Sequence, residues 1–94
     1  MAATTNWNSS DVTGSVGNTD FPSYQNKSGF SGLPGGYRDS DGIFYYRGSW
    51  GVWWSSTKAT GQTSWSRDLG RSEISTGRNG DDLESGLSVR CVKD

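Results

Sequence analysis

Residues 29–56, GFSGLPGGYRDSDGIFYYRGSWGVWWSS, hold more than half of the chain's Phe, Tyr and Trp residues, in clusters separated by glycine-containing turns. Leu33-Pro34-Gly35-Gly36 reads as a turn, because proline fixes one dihedral and glycine accepts positive φ. Tyr37-Arg38 starts a short extended piece. Asp39-Ser40-Asp41-Gly42 then reads as a tight turn into a strand over 43–47, rich in β-branched and aromatic residues. After a turn at Gly48-Ser49, Trp50 to Thr57 is the most strand-like segment of the chain. Alternation puts Trp50, Val52 and Trp54 on one face and Gly51, Trp53 and Ser55 on the other. A tryptophan on each face predicts a central strand, covered on both sides.

Downstream, Lys58 to Thr63 is a polar loop, and Ser64 to Leu69 alternates Trp65, Arg67 and Leu69 against Ser64, Ser66 and Asp68. A further strand is expected around Ile74, over 71–76, followed by an Asn-Gly hairpin signal in Gly77-Arg78-Asn79-Gly80. A closing strand is expected over 87–92, with Leu87, Val89 and Cys91 on one face. Upstream, residues 1–28 are rich in Thr, Asn, Ser, Gly and Asp, which is loop chemistry, with Trp7, Phe21 and Tyr24 spaced to pin the loop to the core. No window shows apolar residues at helical spacing. The expected architecture over 1–94 is one mainly β domain, a small antiparallel sheet with many loops.

Composition narrows the possible functions. Leu, Ile, Val and Phe total only 14 of 94 residues, so the core must draw on five Trp and four Tyr, each able to bury roughly 150–250 Å². Nine Lys plus Arg against ten Asp plus Glu leave a net charge of −1, too weak a field to attract nucleic acid or an anionic membrane. No apolar run approaches the roughly 18 residues that span a bilayer, and the start lacks the regions of a signal peptide. Cys91 is the only cysteine, so no internal disulfide forms, and a small buried hydrophobe is its expected role. Asn8-Ser9-Ser10 and Asn26-Lys27-Ser28 fit the short glycosylation pattern. Asp39-Ser40-Asp41-Gly42 looks like the opening of a calcium loop, but the third ligand pair and the distant Glu of an EF-hand are absent, so the turn is the better reading.

The order of these motifs resembles a known family. SGFSGLPGGYRDSDGIF, then Gly-Val-Trp-Trp-Ser-Ser-Thr, a Trp-containing variable strand and a closing SGLSVRCVKD are similar to the Fibrobacter succinogenes major paralogous domain, a bacterial surface module of C-type lectin-like type. The resemblance runs from about Trp7 to Asp94. It departs at Leu87, where the family usually has Phe, and at the front, where the family's helical segment has no counterpart. In such domains the closing cysteine, matched by Cys91, can pair with a cysteine of that segment. The resemblance implies an extracellular or surface location and carries over no catalytic residue. The calcium and sugar-binding triplets of true C-type lectins are also missing.

Without histidine, a Ser-His or Cys-His pair is impossible, and a zinc site would rest on carboxylates and one thiol, so neither an enzyme nor a cofactor is expected. Exposed aromatics beside polar groups with fixed donors and acceptors suit a binding module. If the sheet is lectin-like, Tyr45, Tyr46, Trp65, Arg67, Arg71, Arg78 and Asn79 form its variable face, for a glycan or protein ligand. The competing expectation is an assembly module whose incomplete sheet docks on a second copy, as a homo-oligomer, or on another chain.

Overall fold

The computed structural model describes residues 2, 3, 5–18 and 29–92. Phe21, Tyr24 and the Asn26 glycosylation pattern lie outside the described residues. The described residues contain five strands and no helix: β1 (Tyr37–Arg38), β2 (Phe44–Tyr45), β3 (Trp50–Lys58), β4 (Thr63–Gly70) and β5 (Gly77–Asp82). β1 and β2 form a two-stranded antiparallel hairpin, and β3-β4-β5 form a three-stranded antiparallel sheet. The protein is mainly β, as its alternation implies.

The hairpin turn at 39–42 forms as expected. Asp39 N–H donates to the Ile43 carbonyl, Ser40 N–H to Asp39 Oδ1 and Ile43 N–H to Asp41 Oδ1, so both carboxylates close the turn. The strand expected over 43–47 is shorter, because Tyr46 takes a positive φ of 60° and turns the chain out of β2. At the next turn Gly48 has a φ of 86°, and the Asn8 side chain packs where a Cβ would stand. Asn8 Nδ2 donates to Ser49 Oγ at 3.1 Å, so the first glycosylation pattern places its amide in a structural contact.

β3 is less central than expected. β4 has a full strand on each side, whereas among the described residues the outer edge of β3 meets only isolated bridges, at Gly51 from Gly36 and at Trp53 from Ser88. The closing segment therefore forms no strand over 87–92. Ser88 exchanges two backbone hydrogen bonds with β3, and beyond it Val89 and Val92 are exposed, as is the Cys91 thiol. Cys91 is thus a surface residue, because pairing ends before its position is reached.

Two further expectations exchange places. Residues 71–76 form the connection rather than a strand, with Ile74 exposed, and 77–82 form β5 rather than a hairpin turn. The reason lies in β4. Asp68 pairs with Gly77, and its carboxylate occupies the space that a side chain at 77 would fill. Asn79 Nδ2 donates to Asp68 Oδ2, and Ser66 Oγ donates to Asp81 Oδ2. These polar pairs set the register of a strand whose own residues favour turns.

The core lies on one face of the sheet. Trp53, 9% exposed, and Leu69, 5% exposed, pack with Ala2, and Trp7, Val16 and Phe30 surround them. The Trp53 indole lies across Gly51 and against Gly32, and meets Phe30 edge-on at 5.5 Å between centroids. Trp7 pins the leading loop as expected, donating its Nε1–H to the Gly32 carbonyl at 3.2 Å. Backbone bonds from Asn8 to Gly48 and from Gly17 to Arg71 stitch the same loop to two turns.

Candidate functional site

The face opposite the core builds the candidate site. Cross-strand register brings Trp50 and Val52 of β3, Ser66 and Asp68 of β4, and Gly77, Asn79 and Asp81 of β5 to this face. The β1–β2 hairpin flanks it, leaving a groove of about 620 Å³ lined by Tyr37, Tyr46, Trp50, Asp68, Asn79 and Asp81 among others. The Trp50 ring lies over Gly70, its cross-strand partner, where a Cβ would stand 2.8 Å from the indole. Glycine at 70 therefore lets the ring lie flat at the end of the groove.

The groove floor is polar and fixed. Ser66 is fully buried and Asp68 is 8% exposed, held by the Ser66–Asp81 and Asn79–Asp68 hydrogen bonds. An ionised carboxylate has about four acceptor positions, so Asp68 and Asp81 each keep acceptor capacity after these bonds. The wall is aromatic. Tyr37, Tyr45 and Tyr46 cluster with centroids 5.8–6.1 Å apart, and Tyr45 Oη donates to Asp41 Oδ2 at 2.9 Å. Burial, then Tyr46, Asp39, Asp81 and Asp41, raise the Tyr37 phenol above its ordinary value of 10.0. The hydrogen bond to Asp41, first, and then burial raise that of Tyr45. Both phenols are neutral donors at physiological pH.

The structure divides the seven sequence-predicted residues. Tyr46, Arg78 and Asn79 line the groove, and Tyr45 stands beside it in the tyrosine cluster. Trp65 and Arg67 alternate to the other face of the sheet, and the Arg78 guanidinium reaches that face too, with Cζ stacked 3.8 Å above the Trp65 ring. Arg71 stands apart in the turn after β4, with Nη1 donating to the Ser9 carbonyl at 2.7 Å. Tyr37, Trp50, Asp68 and Asp81 were not among the predicted residues. For Trp50 and Asp68 a signal was present, since each falls on the face opposite Trp53 and Leu69 by simple alternation.

No helix among the described residues is long and apolar enough to cross a membrane, and they contain no group of three or more metal-ligating side chains. Fold and groove together define a small β domain with an aromatic and carboxylate-lined recess. The chain belongs to the Fibrobacter succinogenes major domain family, whose model matches residues 4–93. No curated protein and no solved structure matches it.

Proposed function

We propose that this domain is a non-catalytic binding module of a bacterial surface or secreted protein, and that its groove takes an uncharged glycan. The observation that carries this reading is the pairing of Tyr37, Tyr46 and Trp50 with the anchored acceptors Asp68, Asn79 and Asp81 in one recess. A pyranose has an apolar C–H face that packs on aromatic rings and a rim of hydroxyls that donate well to carboxylates. Acceptors already held by neighbours lose little freedom when a ligand arrives. The lectin-like placement implied by the family resemblance is compatible with a site on this sheet.

Binding of neutral oligosaccharides, measured by calorimetry across a panel, tests the reading. Tyr46→Asn removes a wall ring while keeping a residue that tolerates the positive φ at 46, so the fold is retained. Affinity is expected to fall about tenfold or more, the equivalent of about 1.4 kcal/mol, with an unchanged melting temperature. A panel with no binder, or a Tyr46→Asn variant that binds as well as the parent, would overturn it.

A second reading, assembly, rests on a different observation. Ile43 and Phe44 stand 55% and 78% exposed on the hairpin, and among the described residues β5 pairs only with β4. An open strand edge and an apolar hairpin suit association with a second copy.

A further inference from the structure

Arg67 and Arg78 are direct cross-strand partners in the β4–β5 ladder, so two guanidinium-bearing side chains leave the same face of the sheet side by side. Like charges directly opposite one another destabilise a sheet, unless something of opposite charge lies between them. Among the described residues neither guanidinium has a hydrogen bond or an ion pair, whereas those of Arg71 and Arg90 donate to the carbonyls of Ser9 and Phe30. Arg78 is nonetheless held in place, stacked on Trp65. Stacking uses the flat face of a guanidinium and leaves its in-plane N–H donors free.

Two such forks at cross-strand spacing match the two oxygens of one carboxylate. The setting also limits what kind of anion fits. Asp81, Asp82 and Glu84 follow Arg78 along β5 and the next turn, and the chain as a whole carries −1, so a dense polyanion would meet repulsion beyond the pair. Trp65 is only half-buried and offers an aromatic surface beside the arginines. Such a surface suits the C–H face of a sugar ring better than a flexible acidic side chain.

We propose that Arg67, Arg78 and Trp65 form a second binding site, on the face opposite the groove, for a sugar residue that bears a carboxylate. Arg78 also borders the groove, so the two sites adjoin at β5, while alternation along β4 sets Arg67 and Trp65 apart from the groove.

The test is a nuclear magnetic resonance titration of the full chain with a trigalacturonate, followed at the backbone amide, arginine Nε–H and tryptophan indole signals. Its methyl ester, a polyglutamate peptide and a single-stranded oligonucleotide serve as comparison ligands. Trigalacturonate is expected to shift Arg67, Arg78 and Trp65 and to leave Tyr46 and Asn79 unmoved, and the methyl ester to bind at least about tenfold more weakly. Arg67→Gln is expected to weaken binding by a similar factor, and Arg78→Lys, which keeps charge but loses the planar fork, to do the same. Because Arg67→Gln removes a like-charge pair, its melting temperature at low salt is expected to equal or exceed that of the parent. Equal binding of acid and ester, undiminished binding by both variants, or tighter binding of polyglutamate or the oligonucleotide would each overturn the proposal. Failure of Tyr46→Asn to alter neutral-sugar binding would overturn the groove reading alone.

Discussion

The two faces of the β3-β4-β5 sheet are made from alternate residues of the same strands, yet they do opposite things. On one face Trp53 and Leu69 are sealed beneath Ala2, Trp7, Val16 and Phe30. On the other, Trp50 and Val52 share the surface with Ser66, Asp68, Asn79 and Asp81, and the tyrosine hairpin stands at the side and leaves a recess. Burial is therefore concentrated around Trp53 and Leu69 on one face, where Arg67 and Arg78 further along stay exposed, and the anchored carboxylates lie on the other. A domain of this size can tolerate a polar recess only if its small core is tightly packed. Glycine serves both faces, since Trp53 lies over Gly51 and Trp50 over Gly70.

The sharpest way to break the comparison is to remove the ring on the sealed side. Trp53→Ala is expected to cost about 3–5 kcal/mol, a large share of the roughly 5–15 kcal/mol that holds a domain together. The variant should be substantially unfolded in mild denaturant, as read by tryptophan fluorescence and circular dichroism. Retention of the parent's unfolding midpoint would mean that the sealed face is not where stability resides.

A smaller effect separates the glycines that make room for a ring from those that do not. At Gly51 a methyl group would enter the Trp53 indole and stand 2.8 Å from the Leu33 carbonyl oxygen, so Gly51→Ala is expected to cost about 1–3 kcal/mol. At Gly80 the nearest atoms lie at 3.8 and 3.9 Å and φ is not positive. Gly80→Ala is therefore expected to be neutral or to stabilise by about 0.4–1 kcal/mol through the unfolded chain. Equal melting temperatures for the two variants would remove the distinction.

These positions also mark what was legible in the sequence. β3 and β4 could be read directly, because Trp50, Val52 and Trp54 alternate with Trp53, and Trp65, Arg67 and Leu69 with Ser66 and Asp68. β5 could not, because Gly77-Arg78-Asn79-Gly80 is composed of turn formers. It becomes a strand through the space Gly77 leaves for Asp68 and the bond from Asn79 to that carboxylate, which are facts about a neighbouring strand. The candidate site suffered in the same way. Tyr46 and Asn79 were recognisable as aromatic and amide, but with 77–80 taken as a turn the cross-strand pairing of Arg67 with Arg78 was hidden, and residues of both faces were grouped as one. The exposed Cys91 and the missing strand around it follow from pairing that stops at Ser88, which the alternation of Leu87, Val89 and Cys91 does not reveal.

The smallest expected effect distinguishes the faces by titration. The Trp53–Leu69 cluster is built of apolar side chains, whereas the groove side carries Tyr37 and, beside it, Tyr45, both with phenols raised above 10.0 in the folded protein. For an acid raised on folding, the native state holds its proton more tightly than the unfolded chain does. The contribution to stability is thus intact below 10.0 and is lost as pH rises through the higher folded values. Asp41→Asn sharpens the test. It takes away the carboxylate that accepts from Tyr45 Oη while keeping an oxygen to accept from Ile43 N–H, so the Tyr45 phenol should titrate closer to 10.0 and Tyr37 should change less. Absorbance of tyrosinate would follow the phenols, and hydrogen exchange would locate the response. Amides of the β1–β2 hairpin should lose protection at alkaline pH before those of β3 and β4, after correction for the intrinsic rate. Simultaneous loss on both sides would show that the groove wall and the core open as one unit, and the two faces would then differ in composition but not in stability.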